Sequence, residues 1–285
     1  MRKTGKSLLA KIPAVTVLAL VAIGLQGCAI WETEEPERAA EAVDLVPEPV
    51  TPPLSFEGFD PGNIIEDEQF YDSDAMDLAE VEDFIDQVNY GCSEGWENTP
   101  CLADYREDAP TFDADDYCFA FQGEPDESAA SIIYRAAQSC GISPKVLLVM
   151  LQKEQGLLTA SGYRLSESRY SIAMGYGCPD TANCDSAFFG FGKQAYYAAR
   201  QLRRYANEPG EYSIQPEQTN KIRYNPDSDC GKSKVYVENY ATAGLYNYTP
   251  YQPNEAALAG DPDSCSSVGN LNFFAYYNAW FGQDS

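Results

Sequence analysis

The sequence predicts a mainly α-helical domain whose long connections are stapled by disulfides. Three observations carry this expectation. Apolar residues recur three and four positions apart in successive segments, most of them opened by a capping residue or closed by glycine. No run alternates apolar and polar side chains convincingly enough to read as a strand. Once Cys28 is set aside, eight cysteines remain, an even number in a chain that opens like an exported one.

Residues 1–27 read as a signal peptide. Arg2, Lys3, Lys6 and Lys11 stand without any acid, and an apolar run at 12–25 follows that is short for a membrane-spanning helix. The stretch ends in Leu25-Gln26-Gly27-Cys28, which resembles the lipobox of bacterial lipoproteins. The resemblance implies cleavage before Cys28 and lipidation of its thiol, each buried methylene then contributing roughly 0.8 kcal/mol of membrane affinity. Residues 28–55 read as a tether: glutamates crowd between Pro36, Pro47, Pro49, Pro52 and Pro53, and such a segment has too little apolar surface to offset its ordering entropy. The expected location is the outer face of the cell membrane, lipid-anchored and facing the cell wall.

Residues 56–285 are long enough to bury one sizeable core, and no internal repeat divides them, so a single domain is expected, with an acidic part at 56–128 and a helical core at 129–285. Ser73 is the expected cap of a helix whose apolar face is Leu78, Val81, Phe84, Ile85 and Val88, ending before Gly91. Residues 91–125, with three cysteines and scattered Gly and Pro, read as loop. Ser128 opens a second helix through Ile132, Ile133, Ala136 and Cys140, stopped by Gly141. Ser143 and Pro144 then begin a segment, closed by Gly156, whose middle is apolar on every face and which therefore belongs at the centre of the domain. A further helix is expected over about 186–206, with Gly190 and Gly192 disturbing its first turns. Residues 236–246 read as partly helical, and residues 270–281 as an aromatic terminal helix.

Four disulfides are the natural reading of Cys92, Cys101, Cys118, Cys140, Cys178, Cys184, Cys230 and Cys265. Cys92 with Cys101 and Cys178 with Cys184 are the expected local pairs, and sequence leaves the other four open. Zinc is disfavoured because the chain holds no CxxC pair and no histidine. Neither a metal nor a cofactor is expected.

Charge is unevenly spread. Between residues 56 and 128 Arg106 is the only base among many acids, whereas the two signs nearly balance beyond residue 129. Nucleic acid is thereby excluded as a partner, since phosphate neutralisation needs clustered bases. The acid excess reads as a solvated face; the alternative is calcium, for which Asp72, Asp74, Asp77 or Asp113, Asp115, Asp116 would supply oxygens, although neither run has the glycine and distal glutamate of an EF-hand loop. The missing histidine excludes Ser-His-Asp and Cys-His hydrolysis and leaves carboxylic acids as the groups for proton transfer.

Glu154 is the candidate acid. It follows Leu147, Met150 and Leu151 on a buried helix face and stands in the last turn, where both burial and the macrodipole disfavour an anion, as a general acid requires. The competing reading is a carboxylate that pairs with Lys153 or an arginine. An apolar helix at 144–156 that ends in glutamate resembles the catalytic helix of the lysozyme-like superfamily, which includes lytic transglycosylases and glucosaminidases. The resemblance implies a lysozyme-like helical fold and protonation of a glycosidic oxygen of peptidoglycan by Glu154. Stretches at 61–65, 146–157, 175–180 and 241–254 also resemble an uncharacterised family of secreted proteins from actinobacteria and other Gram-positive bacteria. Two departures stand out: Gln155 replaces the serine that usually follows the glutamate in transglycosylases, and their Gly-Leu-Met-Gln segment is absent.

Asp180 and Asp185, which flank the expected small disulfide loop, are the candidates for a second carboxylate. Tyr163, Tyr170, Tyr176, Tyr246, Asn247, Tyr248 and Tyr251 are the candidates for sugar contact, because rigid aromatic faces stack on the apolar faces of sugar rings. The expected function is a monomeric enzyme that cleaves cell-wall glycan, and the alternative is a surface glycan-binding or adhesion lipoprotein without catalysis.

Overall fold

The structure, a computed structural model, describes residues 53–180 and 182–282, so Cys28 and the expected signal peptide and most of the tether lie outside the described residues. The helices are α1 (Asp67–Phe70), α2 (Leu78–Val88), α3 (Ala129–Cys140), α4 (Pro144–Gln155), α5 (Glu167–Ser171), α6 (Phe191–Asn207), α7 (Tyr240–Tyr248), α8 (Glu255–Leu258) and α9 (Gly269–Phe281). Two antiparallel pairs accompany them: β1 (Arg106–Glu107) with β2 (Glu127–Ser128), and a hairpin of β3 (Gln218–Arg223) and β4 (Lys232–Val237). The fold is mainly α with four disulfides, and no described helix is long and apolar enough to cross a membrane.

α4 is the centre because its sequence leaves it no solvent face. Val146, Leu147, Leu148, Val149, Met150 and Leu151 are all completely buried, each contributing about 1.5–3 kcal/mol of transfer energy. α3 packs against α2, α4 and α6, while α9 covers α4 and α7 covers α6. Glycines in the left-handed region end the two central helices, Gly141 at φ +63° after α3 and Gly156 at φ +66° after α4. Arg203 of α6 donates to the carbonyls of Cys140 and Gly141, satisfying the end of α3.

Three expectations need correction. The cap of α2 is Asp77, not Ser73: Asp77 accepts from the Glu80 amide and Glu80 returns a bond to the Asp77 amide, a reciprocal box that uses both groups. α6 begins at Phe191 because Gly190, at φ +114°, breaks the chain away from a short turn at 186–188. Residues 218–237 form the hairpin that the sequence did not suggest, and only the helical part of 236–246, from Tyr240 on, belongs to α7.

The segment at 61–65 is tied to the far end of the chain. The Tyr246 hydroxyl donates to the Pro61 carbonyl, the Glu238 amide to Gly62, and the Ile64 amide to Thr242 Oγ1. A Cβ at Gly62 would lie 2.5 Å from the Tyr236 carbonyl oxygen, so only glycine fits there. The disulfides join Cys92–Cys101, Cys178–Cys184, Cys118–Cys140 and Cys230–Cys265, the first two being the expected local pairs.

Candidate functional site

α4 carries Glu154 from the buried core to the surface in its last turn. The side chain remains 23% exposed and lines a cleft of about 380 Å³ with Lys153, Gly175, Asp180, Asn247, Tyr248 and Tyr251. Lys153 is nearly fully buried, with Nζ 2.7 Å from Glu154 Oε1 and donating to Thr249 Oγ1 at 2.6 Å. The same ammonium stands 5.9 Å from the centre of the Tyr248 ring. Arg169 donates instead to the Gln155 carbonyl, countering the helix end, and Arg164 lies beside Gly156.

Opposite Glu154 runs the turn at 174–178. Gly175 sits at φ +67°, and a Cβ there would be 3.0 Å from Glu154 Oε2, so the residue has both a conformational and a steric reason to be glycine. Gln194 fixes this turn. It is wholly buried in α6, accepts from the amides of Met174 and Tyr176 at 3.1 and 3.0 Å, and donates to the carbonyls of Tyr176 and Phe188, both at 2.9 Å. A second cleft, of about 390 Å³, shares Gly175, Cys178, Pro179 and Tyr248 with the first and is closed by Tyr176, Phe188 and Tyr205. The two clefts adjoin along these four residues and make one groove beside Cys178.

The structure brings some of the expected residues together and separates others. Tyr176, Asn247, Tyr248, Tyr251 and Asp180 line the groove. Tyr248 donates to the Met174 carbonyl at 2.7 Å, and burial first, then the Glu154 charge, pushes its hydroxyl well above the usual phenol range. Tyr251 donates to Asp180 Oδ2 at 2.7 Å, and burial together with that bond pushes its hydroxyl up to about 12. Asn247 presents a wall of the cleft while its side-chain amide brackets the backbone of Ile214, donating to the carbonyl at 2.7 Å and accepting from the amide at 3.0 Å.

Tyr170, Tyr246, Asp185 and Tyr163 lie away from the groove. Tyr170 is buried, stacks on Tyr105 at 4.1 Å and donates to the Pro100 carbonyl, so it packs a loop. Tyr246 is fully buried and holds Pro61. Asp185 accepts from the Ala187 amide as the cap of a short turn and does not line the groove. Tyr163 is 92% exposed and lines neither cleft. The Phe189-Gly190-Phe191 stretch turns away from the groove: Phe191 is buried against Tyr105, and the Gly192 amide donates to Glu107 Oε1 at 2.6 Å. Sequence reasoning missed Lys153 as a groove residue and Gln194 as its brace. The turn-forming glycines at 175 and 177 were the available signal for the brace, since such a turn needs its amides satisfied.

No curated protein and no solved structure matches the chain. Residues 63–285, most of the chain, match the family described as LasA, N-terminal domain, and the protein belongs to this family of secreted proteins.

Proposed function

We propose that this extracellular protein is a cell-wall glycan-cleaving enzyme, lysozyme-like in its core and held to the membrane through lipidated Cys28, with Glu154 as general acid. The observation that carries the reading is the position of Glu154: a carboxyl at the end of a fully buried helix that opens on a groove walled by Tyr248 and Tyr251, with the second carboxylate Asp180 in the same cleft. Tyr176, Tyr248 and Tyr251 offer faces for sugar rings. Lys153 Nζ stands 2.7 Å from Glu154 Oε1, a short path for a proton between the two groups. With a sugar bound, Glu154 gives a proton to the glycosidic oxygen as the C–O bond breaks, and Lys153 lies within reach to resupply it. Asp180, steadied by Tyr251, faces the positive charge that develops on the sugar or directs the attacking water.

The test is a digest of purified cell walls analysed by mass spectrometry. Glu154→Gln is expected to keep the fold and to lower muropeptide release by at least a hundredfold, about the contribution of a general acid. Undiminished release from that variant overturns the assignment. The Lys153–Glu154 pair favours a second reading, a binding module in which the ion pair is a finished structural contact. A wild-type protein that co-sediments with walls but releases no fragment supports it. The anchor is tested separately by palmitate labelling, which Cys28→Ser is expected to abolish.

A further inference from the structure

Among the exposed aromatic rings outside the groove, two stand on adjoining loops. Trp96 is 76% exposed and Tyr163 is 92% exposed, although burying a ring of that size is among the larger stabilising contributions a side chain makes. They stand on two loops that are fixed to each other. The Gly162 amide donates to the Ser93 carbonyl at 2.8 Å, and the Ser93 amide donates to Ser161 Oγ at 2.9 Å. Gly95 is wedged against Leu165, where a Cβ would lie 2.5 Å from the Leu165 carbonyl oxygen. Each ring is one residue from these contacts.

The Trp96 loop is rigid in itself. Cys92–Cys101 closes it, the Gly95 amide donates to the Thr99 carbonyl at 2.7 Å, and Thr99 Oγ1 donates to the Trp96 carbonyl at 2.6 Å. Glu97 and Asn98 both adopt the left-handed region, at φ +57° and +60°, a backbone cost that the surrounding bonds sustain. The Tyr163 turn folds back on α4, with Arg164 beside Gly156, so it stands at the same helix end as Glu154.

We propose that Trp96 and Tyr163 form a second binding site, a platform on which neutral sugar rings of a glycan strand stack, separate from the groove and beside it. The proposal rests on the glycan reading for the polymer but needs no catalysis. The surroundings select the ligand. The residues flanking the two rings in sequence are small, polar or charged, Ser93, Glu94, Asn98, Ser161, Gly162 and Arg164, whereas a protein interface centres on a contiguous apolar patch. Glu94 and Glu97 beside Trp96 repel anionic lipid and other polyanions, for which basic clusters are required. Carboxylates and hydroxyls next to an exposed ring are acceptors and donors for sugar hydroxyls, and the locked loops lose little entropy when a ring is covered.

The experiment is co-sedimentation of the full chain, carrying Glu154→Gln, with insoluble chitin and with purified peptidoglycan. Removing both rings (W96A with Y163A) is expected to lower the bound fraction at least tenfold on both polymers without changing the melting temperature, whereas W96F with Y163F retains binding. Chitohexaose should shift the tryptophan emission to the blue in the parent and not in W96F. Equal binding by the double alanine variant overturns the proposal, as does loss of vesicle binding or of self-association without loss of glycan binding. If E154Q still releases muropeptides the catalytic assignment fails, and the sedimentation result still decides the platform.

Discussion

Residues 53–128 and residues 129–282 are held by different physics. The second region is organised around α4, six of whose residues are completely buried. In the first region α2 is the one α-helix longer than four residues, and carboxylates serve much of the remaining backbone. Asp67 accepts from the Ala241 amide at 2.7 Å, Asp77 caps α2, Glu107 accepts from Gly192, and Asp115 accepts from the amides of Tyr117 and Cys118. Glu127 is buried and receives Arg135 Nη1 at 2.9 Å and Ser131 Oγ at 2.7 Å. An acid excess that reads as a solvated face therefore includes several acceptors for orphan N–H groups, and acidic composition alone does not separate solvation from structure.

The sharpest way to break the comparison is Leu148→Ala. It leaves a cavity in the most buried helix and should cost about 2–5 kcal/mol, read as a lower denaturation midpoint at unchanged slope. A loss under 1 kcal/mol would show that α4 is not the core. Next comes the Cys118–Cys140 bridge, the disulfide that links the two regions. Replacing both cysteines with alanine should cost about 3 kcal/mol through the freed unfolded chain. Hydrogen exchange should then rise in residues 112–121 well before it rises in α4, and uniform loosening would mean that the regions are not distinct.

The smallest effect concerns pH. Burial alone would raise the Asp115 carboxyl, but the Tyr117 and Cys118 amides and the Arg200 guanidinium together outweigh it and hold the group below the usual carboxylate range. A group depressed in this way contributes stability above its unfolded value of about 3.9 and loses it as pH falls through the folded value. Asp115→Asn is accordingly expected to lower stability modestly at neutral pH and to flatten the fall in stability below about pH 4. An acid limb of unchanged steepness would remove Asp115 from the account.

Much of the helical region was legible because spacing and punctuation agree: Ser128 with Gly141, and Pro144 with Gly156, bracket apolar runs that can only be helices. The hairpin was hidden because its inward positions are mixed. Asn220 and Ile222 point in from β3 and Val235 and Val237 from β4, so a buried asparagine interrupts the apolar alternation that marks a strand. Ser73 and Asp77 are both capping types, and the Glu80 three residues after Asp77 was the more specific sign. In the groove, Glu154 was legible from its helix, but its partner was not obvious: neighbours one apart do not face each other along a helix, and Lys153 meets Glu154 only because Thr249 draws its ammonium toward the cleft. Tyr170 and Tyr246 look like Tyr248 in sequence and differ in burial and in which carbonyl lies within reach of the hydroxyl.

The Cys178–Cys184 bridge gives the groove a history as well as a shape. Cys178, Pro179 and Asp180 are wall residues, and the covalent ring closed by Cys178 and Cys184, six positions apart, keeps them beside Tyr251. A newly made copy in a reducing compartment would lack that ring while its core could already assemble, because α4 and its neighbours owe their packing to apolar burial. The groove would thus take its final shape only after export and oxidation.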